Sequence, residues 1–148
     1  MKPTEKGINI LKKYESCSLK AYWDVDDWSI GYGHHNSIAY PVKKGDIITG
    51  TEADEMLTED IVNISAQINN LGLTLNQNQF DALFDFVYNL GIGCLIKSNL
   101  FKHLKSNSND FVNIEDHWMR FIMVNGNPNE WLKKRRTDEI KLYKSPLC

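Results

Sequence analysis

Apolar residues recur along this chain with two different periods, and the change from one to the other divides it. From Thr4 the positions Ile8, Leu11 and Glu15 fall at i, i+3 and i+7, the spacing of one helix face. A first helix is therefore expected from Thr4, a good N-cap, to about Tyr14. The period then drops to two. Leu19 to Asp24, a turn at Val25-Asp26-Asp27, and Trp28 to His34 read as a β-hairpin, because aromatic and β-branched residues suit a pleated surface and Asp suits a tight turn. Alternation puts Trp28, Ile30 and Tyr32 on one face of the return strand and Ser29, Gly31 and Gly33 on the other. One face is bulky; the other is nearly bare, with room for a ligand.

Residues 35–50 lose periodicity and carry Pro41, Gly45 and Gly50 as punctuation, the pattern of an irregular rim. Thr51 then caps a helix with Glu52, Asp54 and Glu55 in its first turn and Ala53, Leu57, Ile61, Ile64 and Ile68 on its apolar side. At roughly 17 residues, or ~25 Å, it is long enough to join two lobes. Asn69-Asn70-Leu71-Gly72 ends it. A second strong helix follows from about Asn76 to Leu90, with Phe80, Leu83, Phe84 and Val87 inward and Gly91 as C-cap. Ser98 caps a short helix to about Leu104, and Ser106 to Asn109 form a polar loop. Phe111, Ile114, Trp118, Phe121 and Ile122 mark another helix, broken at Asn125-Gly126-Asn127-Pro128, and Trp131 to Tyr143 make the last. The fold class this predicts is α+β: mostly helical and two-lobed, with a small antiparallel β-hairpin sheet in the N-terminal lobe and a long helix joining the lobes. The expected organisation is a single domain, residues 1–148, with a β-containing lobe at about 15–50, a joining helix at about 51–69 and a helical lobe at about 70–148.

Composition narrows the function classes. A chain of 148 residues with 42% hydrophobic content holds enough apolar surface for a packed core, which excludes a disordered reading. A formal charge of −2 gives no basic field, so nucleic acid is not an expected partner. The tail is locally basic, with Lys133, Lys134, Arg135, Arg136, Lys141 and Lys144 against Glu130, Asp138 and Glu139; a solvated helix face and contact with an anionic wall both fit. Arg135, Arg136 and Glu139 are expected to form a structural charge cluster. Cys17, Cys94 and Cys148 are odd in number and lack metal spacing, so they read as reduced thiols rather than a disulfide framework or a zinc site. His35, His103 and His117 show no ligand spacing either, and no metal or cofactor is expected. The N-terminus lacks an apolar h-region and no apolar run nears ~20 residues, so neither a signal peptide nor a membrane span is expected.

Few residues carry candidate chemistry, and most have two readings. Glu15 on an apolar stripe loses hydration in its charged form, as a general acid near neutrality requires; equally, a charge at a helix end can turn to solvent. His34 either closes the hairpin against a carboxylate or moves a proton. Asn89 and Gln79 are amides on a core-facing helix and must find partners, a helix cap or a sugar among them. Asp26 and Asp27 are either solvated turn residues or rivals to Asp24.

The ordered set Glu15 … Leu19-x-Ala21-Tyr22-x-Asp24 … Trp28-Ser29-Ile30-Gly31-Tyr32-Gly33-His34 resembles the active-site signature of the phage-type lysozymes, the endolysins of glycoside hydrolase family 24. The resemblance continues through Gly45-Asp46-x-Ile48-Thr49, Leu75 to Leu83, Tyr88-Asn89-Leu90-Gly91 and Trp118 … Gly126 … Arg135-Arg136-x-x-Glu139. It implies a muramidase cleaving the β-1,4 bond between N-acetylmuramic acid and N-acetylglucosamine in peptidoglycan. Glu15 would be the general acid, Asp24 with Ser29 would direct the water, and the anomeric centre would invert. Tyr32, Gly33 and Asn89 would bind substrate, and His34 would be structural near the site. The implied setting is a monomer made in a bacterial cytoplasm, reaching the wall in the periplasm through a separate holin-like, membrane-permeabilising partner to lyse the host. Two departures bear on the chemistry: Ser29 stands where the family commonly has Thr, and it follows Asp24 one residue sooner than in many members. Ser16 also replaces the usual glycine. Lytic transglycosylase activity, or a weakly active wall-binding or tail-associated module, is the alternative these departures keep open.

Overall fold

Helix α1 (Glu5–Tyr14) starts and stops where its pattern predicts, and Leu11 and Tyr14 are buried on its inner face. Its entry differs from a simple cap. The Thr4 hydroxyl donates to Asp81, and the Thr4 backbone N–H donates to the same carboxylate at 3.0 Å. The computed structural model describes residues 1–147, so Cys148 lies outside the described residues. The described chain forms two compact units: residues 12–63, and residues 1–11 together with the chain from Ile64 onward.

The first unit holds a three-stranded antiparallel sheet where a two-stranded hairpin was expected. Strands β1 (Ser18–Asp24), β2 (Asp27–Gly31) and β3 (His34–His35) lie in sequence order. The first turn is shorter than predicted, Val25 and Asp26, with Val25 at φ 53°. The return strand ends early for a backbone reason. Gly31 and Gly33 sit at φ +66° and +80°, in the left-handed region that favours glycine, so the chain reverses at Tyr32-Gly33 and the alternation read through to His34 stops at Gly31. Trp28 and Ile30 pack with Ala21, Tyr40, Val42, Ile48 and Met56 to make this unit's core. Residues 36–49 are largely irregular, with an isolated bridge from Lys20 to Ile47.

Helix α2 (Gly50–Asn69) is 20 residues long and runs from one unit into the other. Its cap is Thr49, not Thr51. The Thr49 hydroxyl accepts the Glu52 N–H at 3.2 Å while the Glu52 carboxylate accepts the Thr49 N–H at 2.7 Å, a reciprocal capping box that also depresses the Glu52 carboxyl's pKa.

The second unit is built on α3 (Gln77–Leu90), capped by Asn76 in a capping box with Gln79 and buried from Asn78 to Val87. Gln79 also donates to the Ser108 carbonyl at 3.0 Å, so this amide serves the fold. Two short elements escaped the sequence pattern: α4 (Ile92–Ile96) and, after α5 (Asn99–Ser106) and α6 (Phe111–Trp118), a tiny hairpin of β4 (Met123–Val124) and β5 (Asn127–Pro128). Helix α6 stops at Trp118, four residues short of the apolar pattern, because Arg120 and Phe121 take turn bonds to His117 and Trp118. Helix α7 (Glu130–Tyr143) packs on α3. Around Trp118 the packing is aromatic, with Phe86 and Tyr143 both 5.2 Å away edge-on. The architecture is α+β with seven helices and two small sheets among the described residues.

Candidate active site

The sheet of the first unit has two chemically distinct faces. Register places Tyr22 opposite Ser29 and Ser29 opposite His35, so these three side chains form one row across β1, β2 and β3. Side chains opposite one another in adjacent strands share a face, and Asp24, two residues beyond Tyr22, belongs to it as well. Ala21, Trp28, Ile30 and His34 serve the other face and its core.

Glu15 follows directly on α1 in a bend and is half-buried. Its carboxylate lies against the Tyr32-Gly33 turn: a Cβ on Gly33 would stand 3.1 Å from Glu15 Oε2. Glycine at 33 thus serves two needs, a left-handed backbone and a close approach by Glu15. Asp24 is half-buried at the end of β1, and its carboxylate makes no hydrogen bond or ion pair among the described residues. The phenol of Tyr22 feels the charge of both acids. Its pKa is raised, first by burial and then by the negative charges of Asp24 and Glu15, so both carboxylates lie within electrostatic reach of one side chain.

Ser29 departs from expectation. The strand face predicted to be bare is closed over it: Ser29 is 0% exposed, and its hydroxyl lies 2.9 Å from Nδ1 of the exposed His35. His35 had no role in the sequence reading; its position directly after a buried histidine in an alternating strand was the available signal. His34 points the other way and is buried. Its Nδ1 lies 2.9 Å from Asp60, and its ring meets Tyr40 edge-on at 5.9 Å. The hydrogen bond that His34 donates to the Asp60 carboxylate raises the His34 pKa against the opposing effect of burial. Asp60 is the partner that periodicity alone did not single out. Tyr32 has the Lys12 ammonium 4.8 Å above its ring, and Lys12 is paired to Asp54 at 3.2 Å. Asp26 and Asp27 occupy the turn and its exit; Asp27 Oδ1 accepts the Trp28 N–H.

Asn89 belongs to the second unit. Its Oδ1 accepts from Arg136 at 2.8 Å. Arg136 pairs with Glu139 at 2.7 Å, Glu139 accepts from the Trp118 indole at 2.6 Å, and Arg135 grips Asp85 in two-pronged fashion at 2.8 and 2.9 Å. Asp85 and the three residues expected as a charge cluster are all buried. A groove of about 480 Å³ elsewhere in this unit, between α6 and α7, contains the single carboxylate Glu115, paired with Lys144 at 2.6 Å, and lacks a second acid. No group of three or more His, Cys, Asp or Glu fit to hold a metal occurs among the described residues.

With an acid beside a glycine turn and a second, unengaged carboxylate on the same sheet, comparison with known proteins becomes decisive, and the phage lysozyme family matches residues 12–139. The chain belongs to the phage lysozyme family. It is 36% identical to an endolysin of Acyrthosiphon pisum secondary endosymbiont phage 1, over 96% of this chain and 97% of that protein. It is 30% identical to the endolysin of Salmonella phage P22, over 93% and 95% respectively. Against the endolysin of Bacillus phage PZA, 34% identical, it spans only 56% of the relative's length. Among solved structures it resembles the muramidase domain of SpmX from Asticaccaulis excentricus, with TM-score 0.85 and 28% identity over 98% of this chain and 99% of that one. It also resembles the endolysin of Escherichia coli O157:H7 phage FAHEc1, with TM-score 0.82 and 31% identity over 97% and 94%. Membership of the phage lysozyme family makes the protein a lysozyme-type glycosidase, and Glu15 to His34 lies wholly within the matched stretch.

Proposed function

We propose that this protein hydrolyses bacterial peptidoglycan at the β-1,4 bond from N-acetylmuramic acid to N-acetylglucosamine, and that it serves cell lysis by a phage. The observation that carries the reading is geometric: Glu15 is packed against Gly33 in the sheet's turn, and Asp24 at the end of β1 has its oxygens unengaged among the described residues. Glycoside hydrolysis divides its labour in this way: one carboxylic acid protonates the leaving oxygen, and a carboxylate directs water to the anomeric carbon. Glu15, half-buried, is the acid. Asp24 is the acceptor that draws a water proton as the water attacks, and attack from the face opposite the leaving group inverts the centre. Ser29 assists Asp24. Tyr32, Gly33 and Asn89 contact the glycan, and His34, tied to Asp60, holds β3 in place.

No helix among the described residues is long and apolar enough to cross a membrane. In this reading the enzyme reaches the wall with a separate membrane-permeabilising partner. Mass spectrometry of digested peptidoglycan tests bond, product and activity together. Reducing N-acetylmuramic acid ends are expected from the wild type, and a loss of ~10²–10⁴ in rate from Glu15→Gln, which keeps the shape but cannot give up a proton. Products ending in 1,6-anhydro sugars would replace hydrolysis with transglycosylation. Near-normal turnover by folded Glu15→Gln would remove Glu15 from the mechanism.

A further inference from the structure

The carboxylate of Glu15 rests on the Tyr32-Gly33 turn, and that turn has little stiffness of its own. Gly31 and Gly33 flank Tyr32 at φ +66° and +80°, and glycine takes either sign of φ at little cost, so the seat of the acid is only as fixed as the contacts around it. The stem of the turn lies against Ala53 of α2 and against Ile48: a Cβ on Gly31 would stand 3.6 Å from the Ala53 Cβ and 3.7 Å from Ile48 Cδ1. At the tip the one side chain is that of Tyr32. Its ring lies under the ammonium of Lys12, 4.8 Å from the centroid.

Lys12 connects three elements. It lies in the last turn of α1, three residues before Glu15, so the helix that delivers the acid also reaches over the turn on which the acid rests. Asp54 of α2 holds the same ammonium at 3.2 Å. Burial works against the charge, but Asp54 and Tyr32 outweigh it and raise the Lys12 pKa, so the ammonium stays charged near neutrality. All of these residues belong to the unit of residues 12–63. We propose that Lys12 is a positioning residue: clamped by Asp54, its ammonium holds the Tyr32 ring and with it the turn that seats the Glu15 carboxylate. This role rests on the hydrolase reading above, in which Glu15 is the acid. Stability is not where the contact should show, because the Lys12 and Asp54 side chains are 39% and 60% exposed and pairs so exposed add little to it. What a contact of this strength does is bias a local equilibrium, between a turn seated against the acid and one swung away from it, by a few-fold.

The test has one arm that is independent of activity and one that reads catalysis. In the first, amide relaxation dispersion of the intact chain is expected to be flat at Tyr32 and Gly33 in the wild type and to show exchange there in Lys12→Met, which keeps the aliphatic stem and loses the charge. Unchanged dispersion at these two amides overturns the inference whatever the enzyme does. In the second, Lys12→Met is expected to lower kcat about three- to tenfold, the worth of one cation–ring contact, with KM changed by less than about twofold and Tm by no more than about 2 °C. Lys12→Arg, whose guanidinium also stacks on a ring and pairs with a carboxylate, should keep most of the wild-type rate. Asp54→Asn leaves the ammonium unclamped and should cost about twofold in kcat. Once Tyr32→Leu has removed the ring, Lys12→Met should cost nothing more. A loss confined to KM, a loss that Arg does not restore, or losses that add would overturn the inference while leaving the hydrolase reading intact. A wild-type chain that releases no reducing ends, but shows the expected dispersion, would instead overturn the hydrolase reading and the catalytic part of the role given to Lys12.

Discussion

Two clusters of polar side chains in this protein use the same residue types to opposite ends. Between α3 and α7, Asp85, Arg135, Arg136 and Glu139 lie at 0–3% exposure and spend their hydrogen bonds largely on one another. Burial first, and the neighbouring Asp85 after it, push the Glu139 carboxyl well above the usual carboxylate range, and the charge of Arg136 pulls against that shift. Even here satisfaction is incomplete: Arg136 Nε and Nη1 have no hydrogen-bond partner among the described residues, and the guanidinium lies over the Phe86 ring at 5.0 Å. On the sheet, by contrast, Asp24 keeps its oxygens unengaged among the described residues and Tyr22 and His35 stand at the surface. A carboxylate tied up by neighbours holds a fold together; one left with open lone pairs can act on something that arrives. What separates the two clusters is where each acceptor's lone pairs go, and residue type alone does not reveal it.

The sharpest separation should come from exchanging one acid in each cluster. Asp24→Asn is expected to cost ~10²–10⁴ in rate, read by release of reducing sugar, while Tm moves by no more than about 2 °C, since no hydrogen bond or ion pair is lost. Asp85→Ala should do the reverse. Removing the acceptor of a buried guanidinium costs about 3–5 kcal/mol, or roughly 8–15 °C in Tm, while molecules still folded at low temperature turn over normally. A catalytic defect per folded Asp85→Ala molecule would blur the comparison and give the α3–α7 cluster a part in the chemistry.

Gly33→Ala probes the place where fold and chemistry meet. The left-handed backbone at φ +80° costs an alanine about 1–2 kcal/mol, and the new Cβ would press on Glu15 Oε2 from 3.1 Å. Melting and turnover should fall together, unlike in either acid exchange. The smallest effect concerns His34. Its folded-state pKa lies above the ordinary value of ~6.5, so the stabilisation from Asp60 is complete below about pH 6.5 and is lost as pH rises through the higher folded-state value. Urea denaturation should show wild type exceeding Asp60→Asn by more at pH 6 than at pH 8.5; a gap that widened with pH would contradict the pairing.

The long periodic elements were legible because each has a dominant buried face: α1, α3 and α7 fall within a residue or two of their patterns. Errors arose where local chemistry outweighs periodicity. Thr49 and Glu52 carry the capping-box signature, yet Thr51, nearer the acidic run, looked the better cap. Two glycines bracketing Tyr32 signal a reversal, and reading them as part of an alternating strand hid β3 and with it the row ending at His35. Asp81 and Asp85, one turn apart on an apolar helix and themselves buried, were the visible sign of partners in Thr4 and Arg135. The three-residue row itself depends on register, which no single strand's pattern contains.

One feature of chain topology bears on how the protein assembles. Residues 1–11 belong with the chain beyond Ile64, and their ties are long: Gln77 Nε2 donates to the Lys2 carbonyl at 2.9 Å, Thr4 binds Asp81, and Gly7 has no room for a side chain beside Asp81. During synthesis this segment leaves the ribosome well before α3 and must wait for it before its contacts exist, whereas residues 12–63 can pair as soon as they emerge. The wait carries a loop-closure cost that grows slowly with the length of the intervening chain. Folding of the sheet unit should therefore run ahead of the unit that holds both the start of the chain and its later part. A permutant with residues 1–11 transferred by a short linker to the far end of the chain would shift the order of events while leaving the destination unchanged.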